Sequence, residues 1–116
     1  MRVVYVAGPF RAANAWEVEQ NIRRAEGAAL EVWRLGAACI CPHTNTRFFD
    51  GAADDRVWLD GDMEILTRCD AVLPIQGWET STGARTEHDL AVSMHIPVFT
   101  ALDDLHRWLT NGVLFE

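Results

Sequence analysis

Two periodicities take turns along this chain. Residues 2–6, Arg-Val-Val-Tyr-Val, form a short Val-rich run ended by Ala7-Gly8-Pro9, and predict a first strand. From about Asn14 to Leu35, apolar residues recur at Val18, Ile22, Ala25, Ala29 and Val32 or Trp33, the spacing of one helix face. Leu35-Gly36 reads as its C-cap. Ala37 to Cys41 predicts a second strand, stopped by Pro42. Residues 43–57 are polar with scattered aromatics, Phe48 and Phe49, and predict a long loop of the kind that often carries function. A helix follows from about Trp58 to Arg68, with Leu59, Met63, Ile65 and Leu66 apolar. Asp70 to Ile75 predicts a third strand, and the helix after Gly83 runs to about His95. Pro97 to Thr100 predicts a fourth strand, and Leu102 to Leu109 a last helix capped by Asp103.

Strands alternating with helices imply parallel pairing through right-handed crossovers. The expected fold is α/β: a small doubly wound, flavodoxin- or Rossmann-like parallel sheet of four to five strands with flanking helices. No repeat or linker interrupts it, so residues 1–116 read as a single domain. In such sheets ligands bind outside the carboxyl ends of the strands. Three segments fall there: Gly8 to Asn14, His43 to Arg56, and Gly77 to Glu87. The helix from Trp58 starts at the same edge, which places Asp62 one turn in, facing the crevice.

Composition narrows the chemistry. The net charge of −7 argues against a nucleic-acid polymer as partner. All ten basic residues are Arg, which excludes a Schiff-base lysine and a Walker-type phosphate loop. No apolar run is long enough to span a membrane. The N-terminus enters a strand at once, without a signal-peptide pattern. Cys39, Cys41 and Cys69 suit a reduced compartment, so a cytoplasmic location is expected. Cys39 and Cys41 share one face of a strand and read as small buried hydrophobes; no metal site and no cofactor are expected.

The stretch Gly77-Trp78-Glu79-Thr80-Ser81-Thr82-Gly83-Ala84-Arg85-Thr86-Glu87 is the richest in candidate chemistry. A strand empties into a Ser/Thr/Gly loop that opens a helix. Free N–H groups at a helix start bind anions, and Gly83 allows close approach. The helix dipole favours an ionised Glu87. A carboxylate beside an anion cradle suggests a phosphorylated small molecule, with Glu87 able to attack an acetal carbon and form a glycosyl intermediate. Asp62 is the partner, as acid or orienting group, or simply a helix-dipole residue. Ser81 and Gly83 supply phosphate donors, although Ser81 as an N-cap fits the same geometry. Arg11 and Arg85 are alternative cationic contacts. Tyr5 packs in the core with its hydroxyl reaching the pocket; Phe10 stacks on a base or packs. His43 and Asn45 touch base or sugar, or cap the loop. Trp78 walls the pocket. Asp70, at the opposite strand end, is structural. His88, His95 and His106 show no partner spacing.

The chain resembles the nucleoside 2-deoxyribosyltransferase superfamily, and within it a short branch labelled as a domain of unknown function. The resemblance rests on Tyr5-Val6-Ala7-Gly8-Pro9, on Asp62 followed by Cys69-Asp70, and on Gly77-Trp78 with Ser81-x-Gly83-Ala84-x-x-Glu87. It implies a small doubly wound sheet that cleaves N-glycosidic bonds of deoxynucleosides or nucleotides. Glu87 matches the family nucleophile and Asp62 the acid–base Asp. Transferases acting on free nucleosides carry Asp where this chain has Ser81. A Ser there is similar to the branch that hydrolyses nucleoside 5′-monophosphates, and a hydroxyl donates to phosphate where a carboxylate repels it. The strand-1 loop, Gly8-Pro9-Phe10-Arg11, is less Gly-rich than in those hydrolases. The resemblance also implies a homodimer or higher homo-oligomer whose partner completes the site. The expected activity is hydrolysis of a nucleoside 5′-monophosphate. Base exchange on free nucleosides and a non-catalytic nucleotide-binding module are the alternatives.

Overall fold

Three short apolar runs pair in parallel, the first along the chain lying between the second and the third. They are β1 (Val3–Ala7), β2 (Ala38–Ile40) and β3 (Ala71–Pro74) in a computed structural model that describes residues 1–111. Among the described residues five α-helices connect or flank them: α1 (Ala15–Arg34), α2 (Pro42–Asn45), α3 (Asp55–Leu66), α4 (Thr82–Ser93) and α5 (Leu102–Asn111). Central β1 pairs Val3 with Ala38 on one side and Val4 with Ala71 on the other.

Strand side chains alternate faces, and the two faces bury different helices. Val4, Val6, Ala71 and Leu73 pack with Ala25, Ala29 and Val32 of α1 and with Leu105 and Trp108 of α5. Tyr5, Ala7 and Val72 pack on the other face with Leu66 of α3 and Ala91 of α4. Helices therefore cover both faces, as a doubly wound sheet requires.

The fourth strand does not form. Pro97 to Thr100 contributes a single bridge, Val72 to Val98. Pro97 has no N–H to donate, and only Val98 and Phe99 remain before the chain turns toward α5. Val72 N–H still donates to Pro97 O at 2.9 Å, and Phe99 N–H to Val72 O at 2.9 Å. The described sheet thus has three strands plus this bridge.

The helix ends follow local chemistry. Asn14 Oδ1 caps α1 by accepting from Glu17 N–H at 2.9 Å. Leu35 is its C-cap, and Gly36 takes φ 91°, the left-handed region open to glycine. Pro42 begins a helix rather than ending a strand: it is the first residue of α2, where a missing N–H costs nothing. Helix α3 starts at Asp55, not Trp58, because Asp54 caps it by accepting from Arg56 N–H at 2.9 Å. Its exposed first turn is polar and so resembles a loop. Asp62 consequently lies two turns in. Asp103 sits inside the first turn of α5 instead of capping it.

Asp70 is structural. Its Oδ2 accepts from Val3 N–H at 2.7 Å at the start of the β1–β3 pairing. Asp70→Ala is expected to cost roughly 1–3 kcal/mol of stability, the penalty for stranding a bond to a charged group. Thermal unfolding would show the loss, with kcat/KM of the folded protein within about twofold of wild type.

Candidate active site

The carboxyl ends of the strands open into a cavity of about 780 Å³. Its walls come from the loop after β1 (Gly8 to Arg11), from α2 (Pro42, His43), from α3 (Trp58, Leu59, Asp62, Met63) and from the start of α4 (Ser81 to Ala84, Glu87). Trp58 and Asp62, one turn apart on α3, share one helix face.

Glu87 stands in the second turn of α4, and the hydroxyl of buried Tyr5 donates to its Oε2. Burial pushes the Glu87 carboxyl up to about 7, the charge of Asp62 adds to the rise, and the Tyr5 bond opposes it. The helix dipole favours the ionised form, but loss of solvation outweighs it, so the carboxyl stands above its ordinary range rather than below it. Burial also raises Asp62, to about 6. Burial and the Glu87 charge lift the Tyr5 hydroxyl far above its ordinary range, so it stays a neutral donor. One Glu87 oxygen is thus held by Tyr5 while the carboxylate faces the cavity.

Ser81 combines its two expected roles. As N-cap of α4 its Oγ accepts from Ala84 N–H at 3.3 Å. A hydroxyl that accepts still has its own proton to donate, and Ser81 lines the cavity. Arg85 N–H is bonded to Ser81 O at 2.9 Å, which leaves Thr82 and Gly83 as the first-turn donors without intrahelical acceptors. A Cβ at Gly83 would meet no atom within 4 Å, so a ligand can approach this backbone closely.

The strand-1 loop is held from several sides. His43 is buried, and its Nε2 lies 2.8 Å from Pro9 O; a carbonyl only accepts, so Nε2 carries the proton. Burial lowers the His43 pKa, keeping the ring neutral. Phe10 packs on the His43 ring with centroids 5.7 Å apart. Gly8 and Gly77 serve packing: a Cβ at Gly8 would lie 2.5 Å from Ile75 Cγ1, and one at Gly77, φ 93°, 3.1 Å from Pro9 Cγ. Arg11 lines the cavity paired to Asp55, with Asp50 at 3.8 Å.

Three candidate site residues stand outside the cavity wall. Asn45 is exposed and does not line the cavity, because α2 turns it outward. Trp78 is also outside the lining; its ring stacks on His88 at 4.3 Å, which gives His88 a partner after all, with Asp89 Oδ1 3.0 Å from its Nδ1. Arg85 is exposed and away from the cavity. The lining also holds residues to which the sequence assigned no role, among them Trp58, Met63, Thr80 and Thr86. Periodicity reaches two of them: Trp58 is one turn before Asp62, and Met63 follows it.

Among the described residues no group of three His, Cys, Asp or Glu side chains is placed to hold a metal ion. The free cysteines are not activated: burial raises Cys41, pushes Cys69 to about 11 and Cys39 to about 12. No helix among the described residues is long and apolar enough to cross a membrane.

The comparison with curated proteins finds no match. Among solved structures, the chain is similar to a 2-deoxyribosyltransferase from the psychrotolerant bacterium Bacillus psychrosaccharolyticus, with a TM-score of 0.64 at 19% identity, over 83% of this chain and 69% of that one. The likeness establishes a nucleoside 2-deoxyribosyltransferase-like fold. A family model described as "Domain of unknown function (DUF4406)" matches residues 2–100, and the chain belongs to that family.

Proposed function

We propose that this protein is an enzyme that cleaves the N-glycosidic bond of a (deoxy)nucleoside 5′-monophosphate through a covalent intermediate on Glu87. The observation that carries the reading is the convergence, in one cavity, of a Tyr5-bonded Glu87, a second carboxyl at Asp62, and the Ser81–Ala84 helix start. Glu87 attacks C1′ while Asp62 protonates the departing base. Water then gives a proton to the Asp62 carboxylate and attacks C1′ of the glycosyl ester, breaking its bond to Glu87, so that the sugar 5-phosphate leaves with Glu87 ionised and Asp62 protonated again. Ser81 with the Thr82 and Gly83 N–H groups receives the phosphate. Gly8, Pro9, Phe10, Arg11 and His43 form the facing wall. No cofactor is needed for this chemistry. The reading includes a cytoplasmic setting and a homodimer or larger assembly, for which exposed Trp16, Leu30 and Trp33 on α1 offer apolar surface.

The test is incubation with a panel of natural and modified nucleoside 5′-monophosphates and their nucleosides, scored for free base by chromatography. Binding without base release over long incubation would leave only a nucleotide-binding module. One observation favours base exchange on free nucleosides instead. The cavity lining carries Asp50, Asp55, Asp60, Asp62 and Glu87 against Arg11 and Arg56, an acidic balance better matched to an uncharged substrate. Addition of an acceptor base separates the two outcomes: exchange yields a new nucleoside, hydrolysis a free sugar phosphate.

Ser81 decides between them. Loss of a hydrogen bond to a charged group costs roughly 1.5–3 kcal/mol, about ten- to a hundredfold in affinity. Ser81→Ala is expected to raise KM for the monophosphate by about that factor, with little change for the nucleoside. Ser81→Asp retains an N-cap, repels phosphate and accepts from a free 5′-hydroxyl. Preference should then move toward nucleosides. Matched kcat/KM values for nucleoside and monophosphate pairs are the measurement. A preference indifferent to both substitutions rules out the phosphate cradle.

A further inference from the structure

Buried α1 residues are apolar with one exception. Ile22, Ala25, Ala29 and Val32 form the stripe, and Asn21 lies on it with 6% of its surface exposed. A buried amide is costly unless both its ends are paired. Both are. Asn21 Oδ1 accepts from the Arg24 guanidinium, and its Nδ2 donates to Phe10 O at 3.0 Å. Guanidinium has only donors and a carbonyl only acceptors, so these partners set the orientation of the amide unambiguously. The next carbonyl back, Pro9 O, is held by His43 from α2. Two successive carbonyls of one loop are thus fixed by side chains from two helices. Arg11 follows at once, standing at the cavity against Asp55.

We infer that Asn21 is a positioning residue: by holding the Phe10 carbonyl it sets where Phe10 and Arg11 stand in the cavity wall. The inference rests on the phosphate-directed reading above for its kinetic consequence, while the anchorage of the loop does not. Asn21 is not itself part of the cavity wall and acts through the backbone of the loop. The electrostatic consequence is local. Arg11 meets Asp55 and Asp50 through Nη2, so its other N–H groups can meet an incoming anion while its backbone stays in place. A loop freed at Phe10 would spread Arg11 over many positions and dilute that contact.

The test uses Asn21→Leu, which keeps volume and removes the donor, and Asn21→Asp, which keeps shape and the Arg24 pair but turns a carboxylate toward a carbonyl. Backbone order parameters from 15N relaxation are read across residues 10–13 and, as reference, across β1 and β3. Those at 10–13 should fall below about 0.6 in either variant, with the strands staying near about 0.85. KM for a nucleoside 5′-monophosphate should rise about tenfold, with kcat within about threefold, because positioning of a binding group is lost. In an Arg11→Ala background the same Asn21 substitution should add nothing to KM, a coupling that a general loss of stability does not produce. Unchanged order parameters at 10–13, or an equal KM effect with and without Arg11, overturn the positioning role. If the order parameters fall as expected but wild-type protein releases no base from any monophosphate, the anchorage stands and the proposed reaction is what fails. Should Asn21→Leu not fold, Asn21→Asp carries the same measurements.

Discussion

Glu87→Gln is expected to lower turnover by at least ~100-fold while nucleotide binding survives. The amide preserves shape and can still meet Tyr5, so the ground-state complex is little changed. The lost interaction is the bond made in the transition state. A slow-leaving 2-fluoro sugar analogue should label wild-type protein at Glu87, and mass spectrometry of the peptide locates the adduct. Near-normal turnover in the variant, or label elsewhere, eliminates the covalent mechanism. The same substitution has a stability signature. The folded Glu87 carboxyl sits at about 7 against an ordinary value of 4.5. A raised carboxyl means the folded state binds the proton more tightly, so stability declines as pH rises from about 4.5 through about 7. Glu87→Gln should flatten that decline in a series of thermal melts.

Asp62→Asn should reduce kcat for natural substrates by about 10²–10⁴-fold, with an activated leaving group recovering part of the loss, as expected when proton assistance disappears. Equal loss with both leaving groups would make Asp62 an orienting residue. Its pH signature is distinct. Activity requires Glu87 ionised and Asp62 protonated. Glu87 lies at about 7 and Asp62 at about 6, so kcat/KM should be bell-shaped with its maximum between the two. Because the acid lies below the nucleophile, the productive form is only about a tenth of the singly protonated pool. The two limbs belong to the pair rather than to either residue. Removing the Asp62 charge should abolish the alkaline fall and leave a single acid limb, the ionisation of Glu87 itself, somewhat below its wild-type value of about 7 because that charge helps to raise Glu87.

Much of the fold was legible from local pattern. The Val18–Val32 stripe, the Leu35-Gly36 end and the three Val- or Ala-rich runs became α1, its cap and the sheet, because burying one helix face or a strand needs a periodic apolar surface. What failed locally failed for identifiable reasons. The polar first turn of α3 looked like loop because a solvent-facing turn with an Asp cap has loop composition. Pro97 to Thr100 looked like strand because propensity does not count the backbone donors left to pair.

The candidate site divides in the same way. Glu87, Ser81 and Gly83 were visible as a strand–loop–helix transition, and Asp62 as a carboxylate on the neighbouring helix. Those assignments depend on residues close in sequence, where helix start and dipole follow from the chain alone. Tertiary structure decided the rest. Only packing brings Tyr5 onto Glu87 and turns Trp78 away to His88. Only packing pairs Arg11 with Asp55 and sets Asn21 under Phe10. Burial raised Glu87 against the pull expected from the helix dipole, since desolvation depends on every element around a carboxyl and not on the helix that carries it. Sequence alone determined which residues could do chemistry; the contacts between distant segments determined which of them share a cavity and in what charge state.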